Sequence, residues 1–437
     1  MSGSIDALMR LAILSLAVLI PTYAVIALTV ALLLARRLPC WPVLVAAAAL
    51  LGAGVGAALL LVVEILLNLI GTPLEWFTRA WILGAFTVLG VATANLYHSR
   101  VRRKAGAVLG AIVMVAATAL VVNAHYGLNP TLGSLVGINT ERPVALPPPS
   151  PQQLTHTSRA TVGPLWRTWS APAGMPPVGR TGSAEIPGVV SGFAARPAGV
   201  YLPPAALVPH PPALPLLVMM MGQPGNPDPQ LVAATFDRFA AAHRGLAPIV
   251  IVADQLSNPT VDTLCLDTAR FGHVETYLNT DVVDWARAHL NVLLDRAQWT
   301  IAGYSHGGQC AISFAAKHPD LWGNVLDISG EEYPGAEHPR RTLLDGFFGD
   351  EAAYEAQRPA SLLTRRQYQN TAAIFTVGMD DSTFRPGVRR VAAAARSAGM
   401  QVSYREIAHG GHLVEALNGG LEQGAVELYP RLGLSRP

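Results

Sequence analysis

The sequence predicts an α/β chain in two parts, a four-helix transmembrane bundle followed by a mostly parallel sheet covered by helices. Three observations predict it. Four apolar stretches, each near the length that crosses a bilayer, fill the first 125 residues. From about residue 160, short apolar runs alternate with segments of helical periodicity. One of those runs leads straight into Gly303-Tyr304-Ser305-His306-Gly307, and helical periodicity follows at once.

The apolar stretches run from about Leu11 to Leu34, Val43 to Ile70, Trp81 to Tyr97 and Ala105 to Asn123. A helix needs about 20 such residues to span the hydrocarbon. A cleaved signal peptide would account for the first stretch but not for three more. Arg36 and Arg37 follow the first span, and Arg100, Arg102, Arg103 and Lys104 follow the third. The opposite side carries only Arg10 and Arg79. The positive-inside rule then places both basic loops in the cytoplasm. An even number of spans puts everything after residue 125 outside. Glu64 lies within the second span, where a carboxylate is costly. It is a functional candidate or a hydrogen-bonded residue of the bundle.

Residues 126–190 read as an extracytoplasmic lead-in. Five prolines between Pro143 and Pro151 favour extended, semi-rigid geometry there. Residues 191–437 read as the catalytic domain. Strands are expected at 200–202, 216–221, 249–253, 299–303, 325–328, 374–377 and 402–407. Helices are expected at 231–243, 282–294, 310–316 and 388–398. Net charge is +2 and only 14% of residues are charged. No Lys/Arg stripe is present, which argues against a nucleic-acid partner. The basic residues are nearly all Arg, and with the many Ala, Gly and Pro this suggests a GC-rich bacterial genome. The three cysteines, Cys40, Cys265 and Cys310, lack metal-binding spacing. Cys265 and Cys310 pair if their region faces an oxidising compartment, or stay as free thiols.

Chemistry is written most clearly around Ser305. A strand, then Gly-x-Ser-x-Gly, then a helix is the nucleophile elbow of the α/β-hydrolase fold. The turn lifts the serine hydroxyl out of the sheet and aims the helix N-terminus, with the His306 N–H, at a developing oxyanion. Serine at its free pKa is a poor nucleophile and needs an oriented base. His409 and His412 both follow the last expected strand; His412 is the choice and His409 the alternative. His318 reads as a helix cap and His338 as a loop residue. Asp380 and Asp381 both follow the preceding strand, and only one can face the imidazole. Gly222-Gln223-Pro224-Gly225 supplies a turn whose Gln223 N–H is the second oxyanion donor, since Pro224 has none.

At these residues the chain resembles the putative-esterase family of α/β-hydrolases, over roughly residues 195–430. That family includes S-formylglutathione hydrolases, enterochelin-type esterases and mycolyltransferases. Its common Gly-x-x-Asp matches Gly378-Met379-Asp380-Asp381 and selects Asp381. Its Gly-Gly-His-x-Trp matches Gly410-Gly411-His412 and supports His412, although Val414 stands where the Trp would be. The family often ends the strand before the oxyanion turn in Leu-His-Gly, where this chain has Met220-Met221-Gly222. Glu275-Thr276-Tyr277-Leu278 with Asp281, and Gly330-Glu331, also look like the family. The resemblance implies acyl transfer by a Ser305–His412–Asp381 triad, an oxyanion hole at Gln223 and His306, and no metal or organic cofactor. An outward catalytic domain on a membrane bundle makes the expected substrate an ester of the cell envelope, such as a lipid or an aminoacylated phospholipid. The alternatives are an acyltransferase acting on an envelope sugar and a catalytically silent membrane scaffold.

Overall fold

The computed structural model describes residues 3–37, 39–68, 73–138, 140–146 and 163–437. The Pro-rich run beyond residue 146 lies outside the described residues. So does Ile70, the expected end of the second span. The chain divides into two compact units, Met1–Val136 and Gly137–Pro437.

In the first unit four helices are long and apolar enough to cross a membrane: α1 (Leu16–Leu34), α2 (Trp41–Leu66), α3 (Trp76–Ala94) and α4 (Val101–Tyr126). The first starts later than expected because Ile13 donates its N–H to Pro130 O instead of entering a helix. The third starts five residues earlier than expected, at Trp76. Helices α2 and α3 meet at Gly52 and Gly90. A Cβ on Gly52 would lie 2.2 Å from the Phe86 carbonyl oxygen, and one on Gly90 2.1 Å from that of Ala48. Only glycine permits that approach, the usual device where helices pack without a hydrophobic driving force. The two basic loops sit at one end of this bundle. Arg36 donates to the Tyr97 and His98 carbonyls at 3.3 and 3.1 Å, and Arg103 to Asn95 Oδ1 at 2.7 Å and the Ala35 carbonyl at 3.0 Å. Glu64 lies in the last, π-helical turn of α2 and is held by Arg79, with Nε 3.1 Å from Oε2.

The second unit is built on one eight-stranded sheet. Its strands are β1 (Arg180–Ala184), β2 (Ala198–Leu202), β3 (Leu216–Met220), β4 (Ile249–Ala253), β5 (Trp299–Tyr304), β6 (Asn324–Ile328), β7 (Ala372–Gly378) and β8 (Gln401–Ile407). They lie in the order β1-β2-β4-β3-β5-β6-β7-β8. Only β2 runs against its neighbours; the rest form a parallel set. Every residue of β2 through β7 is buried, which is why these strands read as continuous apolar runs. Helices α5 (Gln230–Ala242), α6 (Val282–His289), α7 (His306–Lys317), α8 (Pro339–Phe347), α9 (Arg385–Ser397) and α10 (Val414–Arg431) follow strands or their loops. This order, with the sharp turn after β5, is the α/β-hydrolase fold.

Helix α8 was not expected and α7 starts four residues early, at His306; two further differences bear on the sheet. Helix α6 ends at His289, not 294, because Leu214 pairs with the chain at 291–293: its N–H donates to Asn291 O, and its carbonyl accepts from Leu293 N–H. Strand β1 was not expected at all. It lies in the lead-in at the sheet edge, and its outer side pairs with residues 142–144 through Val144 N–H to Ser183 O at 2.9 Å and Ser183 N–H to Arg142 O at 2.7 Å.

Candidate active site

Connections after β3 go to one side of the sheet and those after β5 to the other, so a crevice opens at the carboxyl ends of these two adjacent strands. Ser305 stands there, at φ 56°, ψ −120°. A side chain at positive φ costs about 1–3 kcal/mol and persists only when its surroundings hold it. The Ser305 N–H donates to Ile328 O at 2.9 Å, and its carbonyl accepts from Gly308 at 2.9 Å and Gln309 at 3.2 Å. The motif glycines are needed for close approach: a Cβ on Gly303 would sit 2.0 Å from the Gly307 oxygen.

The structure brings Ser305, His412 and Asp381 into one hydrogen-bonded chain. His412 Nε2 is 2.8 Å from Ser305 Oγ, and His412 Nδ1 is 2.9 Å from Asp381 Oδ2. Asp381 is buried, and its other carboxylate oxygen accepts the Phe384 N–H at 2.9 Å. Phe384 and Tyr304 both stack on the His412 ring, with centroids 4.1 and 5.2 Å away. Those contacts fix the ring plane, so imidazole and serine stay aligned. The competitors lie elsewhere. Asp380 is exposed and gives its N–H to Gly410 O. His409 is exposed at φ 56° in the turn before His412. His318 caps α7 and meets Glu275 at 2.9 Å. Asp281 accepts the Val190 and Ser191 N–H groups at 2.7 and 3.0 Å. Those family-like acids therefore brace loops.

The turn after β3 lies against the nucleophile. A Cβ on Gly222 would be 3.4 Å from Ser305 Cβ. Among the described residues, the Gln223 and His306 N–H groups have no acceptor, as two donors kept for an incoming oxygen would. The His306 N–H opens α7, where the helix dipole adds to it.

Sequence reasoning missed how the His306 side chain is held. The ring is buried, with Nε2 3.0 Å from Asp262 Oδ1. Burial opposes its positive charge, but the Asp262 carboxylate outweighs burial and raises its pKa. The same pair holds the Asp262 carboxyl below its usual range against the pull of burial. Cys265 and Cys310 form a disulfide, which ties the 254–266 loop to α7 one turn beyond His306. Cys265, Cys310 and His306 bring three metal-capable atoms within 4.8 Å of one another, but the disulfide occupies both sulfurs. Acids ring this corner. Burial pushes Glu331 up to about 8 and Glu337 up to about 7, and the His412 charge draws Glu337 partly back. Glu331 spends one oxygen on the Ala336 N–H at 3.3 Å. Glu337 has no partner among the described residues.

A family model described as putative esterase matches residues 195–422. An uncharacterised protein of Corynebacterium glutamicum is 32% identical over 311 residues, which is 69% of this chain and 70% of that protein. Among solved structures, an S-formylglutathione hydrolase from Agrobacterium tumefaciens is 17% identical at a TM-score of 0.49, over 60% of this chain and 98% of that one. The MPT51 protein of Mycobacterium tuberculosis is 14% identical at 0.42, over 58% and 98%.

Proposed function

We propose a function from one premise: this chain belongs to the putative-esterase family of α/β-hydrolases. It is a membrane-anchored serine esterase whose catalytic unit lies outside the cytoplasm and cleaves an ester-linked envelope lipid. The observation that carries this is the continuous chain Ser305 Oγ, His412, Asp381, with hydrogen bonds of 2.8 and 2.9 Å.

Ser305 Oγ attacks the ester carbonyl while His412 Nε2 takes its proton. Asp381 holds Nδ1–H and stabilises the imidazolium. The Gln223 and His306 N–H groups receive the oxyanion. His412 returns the proton to the leaving alcohol, and water attacks the acyl-enzyme by the same route in reverse. Neither step needs a metal or an organic cofactor.

Two observations support the outside location. Both basic loops share one end of the helix bundle, as cytoplasmic loops should. The Cys265–Cys310 disulfide suits an oxidising compartment. Within the envelope, the acids around Ser305 favour an acyl group that carries a cation. Glu337 is half-buried and has no partner among the described residues, and an ammonium group would supply its missing counter-charge. An aminoacylated phospholipid meets both demands, an ester at a bilayer and a positive acyl group.

The test is hydrolysis in proteoliposomes of a lysyl-esterified phospholipid against its N-acetylated analogue. The charged ester should be cleaved with the lower KM, and Ser305→Ala should abolish both reactions. Equal KM values would remove the cationic substrate. Activity surviving in Ser305→Ala would remove the mechanism.

A further inference from the structure

Strands β1 and β3 to β8 end on the same side of the sheet as Ser305. The chain leaving those ends exposes large apolar side chains: Val189 and Val190 after β1, Leu344 and Phe348 between β6 and β7, and Met379 after β7. The β6–β7 excursion is the most pronounced. Arg340 and Leu344 lie one turn apart on α8, and Phe348 follows four residues on as the cap that ends the helix, so the three make one stripe from the helix to its end. Thr342 is buried. Leu344 is 56% exposed and Phe348 85% exposed.

Phe348 also ends the helix at φ 53°, in the left-handed region that a bulky residue seldom takes. Its aromatic ring stands out in water, where no described residue covers it. Arg270 and Arg341 share the one carboxylate of Asp345, at 3.2 and 3.4 Å. Arg340 has no carboxylate partner among the described residues. The stripe is at the rim of the site. A Cβ on Gly346 would lie 2.7 Å from Leu264, on the loop that holds Asp262. Glu337, two residues before α8, feels the charge of His412.

We infer that the Arg340–Leu344–Phe348 stripe seats the catalytic unit on an anionic phospholipid bilayer. Leu344 and Phe348 enter the interface and Arg340 meets lipid phosphate, the composition of an interfacial helix. A lipid-borne ester then reaches Ser305 without leaving the bilayer. The same chain carries the four apolar helices that keep a bilayer at hand. This inference rests on the lipid-ester reading above.

The full chain is placed in nanodiscs, one copy per disc, as Phe348→Cys in a Cys40→Ser background, with an NBD fluorophore on residue 348. In discs of anionic lipid the emission should shift to the blue and be quenched by doxyl-labelled lipid. Water-like, unquenched emission overturns the proposal. So does a shift that needs two copies per disc, because the stripe then meets protein. In parallel, the double substitution Leu344→Asp, Phe348→Asp should lower turnover of the bilayer-embedded ester about tenfold. It should leave soluble p-nitrophenyl acetate within about twofold of wild type. Equal loss on both substrates, or loss on neither, also overturns it. A wild-type enzyme that cleaves only soluble esters refutes the lipid substrate, and the fluorophore then decides the surface by itself.

Discussion

Ser305 is the residue whose backbone and side chain both carry the account. Its positive φ is held by neighbours on β6 and α7, and its hydroxyl by His412. Ser305→Ala and His412→Ala should each lower kcat by at least about ten-thousandfold, and Asp381→Asn by about a thousandfold or more. Asp380→Asn and His409→Ala should change kcat by less than about twofold, because both side chains are exposed and neither hydrogen-bonds Ser305, His412 or Asp381 among the described residues. Steady-state rates on a soluble ester check all five. The residue pattern brought each choice down to two close residues and favoured His412, and the family pattern selected Asp381. His409 and His412 both follow β8, and what separates them is a single left-handed turn at His409. The His306–Asp262 pair had no sequence signal, since the two are 44 residues apart with no periodic relation. Glu337 makes a further test possible. Its carboxyl titrates near 7 because burial disfavours the charge. As pH rises through that value it ionises, so KM for a cationic ester should fall. Glu337→Gln should remove this pH dependence while leaving KM for a neutral ester unchanged.

At the scale of elements, the buried strands and the β8 edge were legible and the β1 edge was not. β3, β4 and β5 read as apolar runs because both their faces are covered. β1, with sequence Arg-Thr-Gly-Ser-Ala, has neither an apolar run nor a clean alternation, and its pairing with β2 is what makes it a strand. The 254–266 loop was equally unreadable, and the disulfide defines it. Closing a 45-residue separation removes chain entropy worth about 4 kcal/mol from the unfolded state. Reduction of the full chain should therefore lower the melting temperature of the catalytic unit by roughly 6 °C, followed by calorimetry with and without a phosphine reductant. β6 carries the second test. Asp327 is buried beneath the elbow, and burial pushes its pKa up to about 7. A folded-state pKa above the unfolded one favours folding while the group is protonated. That contribution is complete below about pH 4 and fades as pH rises through about 7. Thermal stability should decline across that window, and Asp327→Asn should flatten the decline.

Over the whole molecule, length and composition mark four helices long and apolar enough to cross a membrane, loop charge predicts their direction, and a hydrolase fold follows them. Span positions could be read to within about five residues, because apolar composition does not mark where a cap or a bridge such as Ile13 to Pro130 takes over. Orientation is testable at Cys40, an exposed free thiol beside the first basic loop. A membrane-impermeant maleimide should leave it unlabelled in intact cells and label it once the membrane is opened. Labelling of intact cells would invert the topology and bring Ser305 into the cytoplasm. Whether Ser305 is a nucleophile driven by His412 and Asp381 is decided by mapping a fluorophosphonate adduct on the full chain in its membrane. One adduct should form, on Ser305, and be lost in His412→Ala. An unlabelled chain, or an adduct on any other residue, would contradict that role.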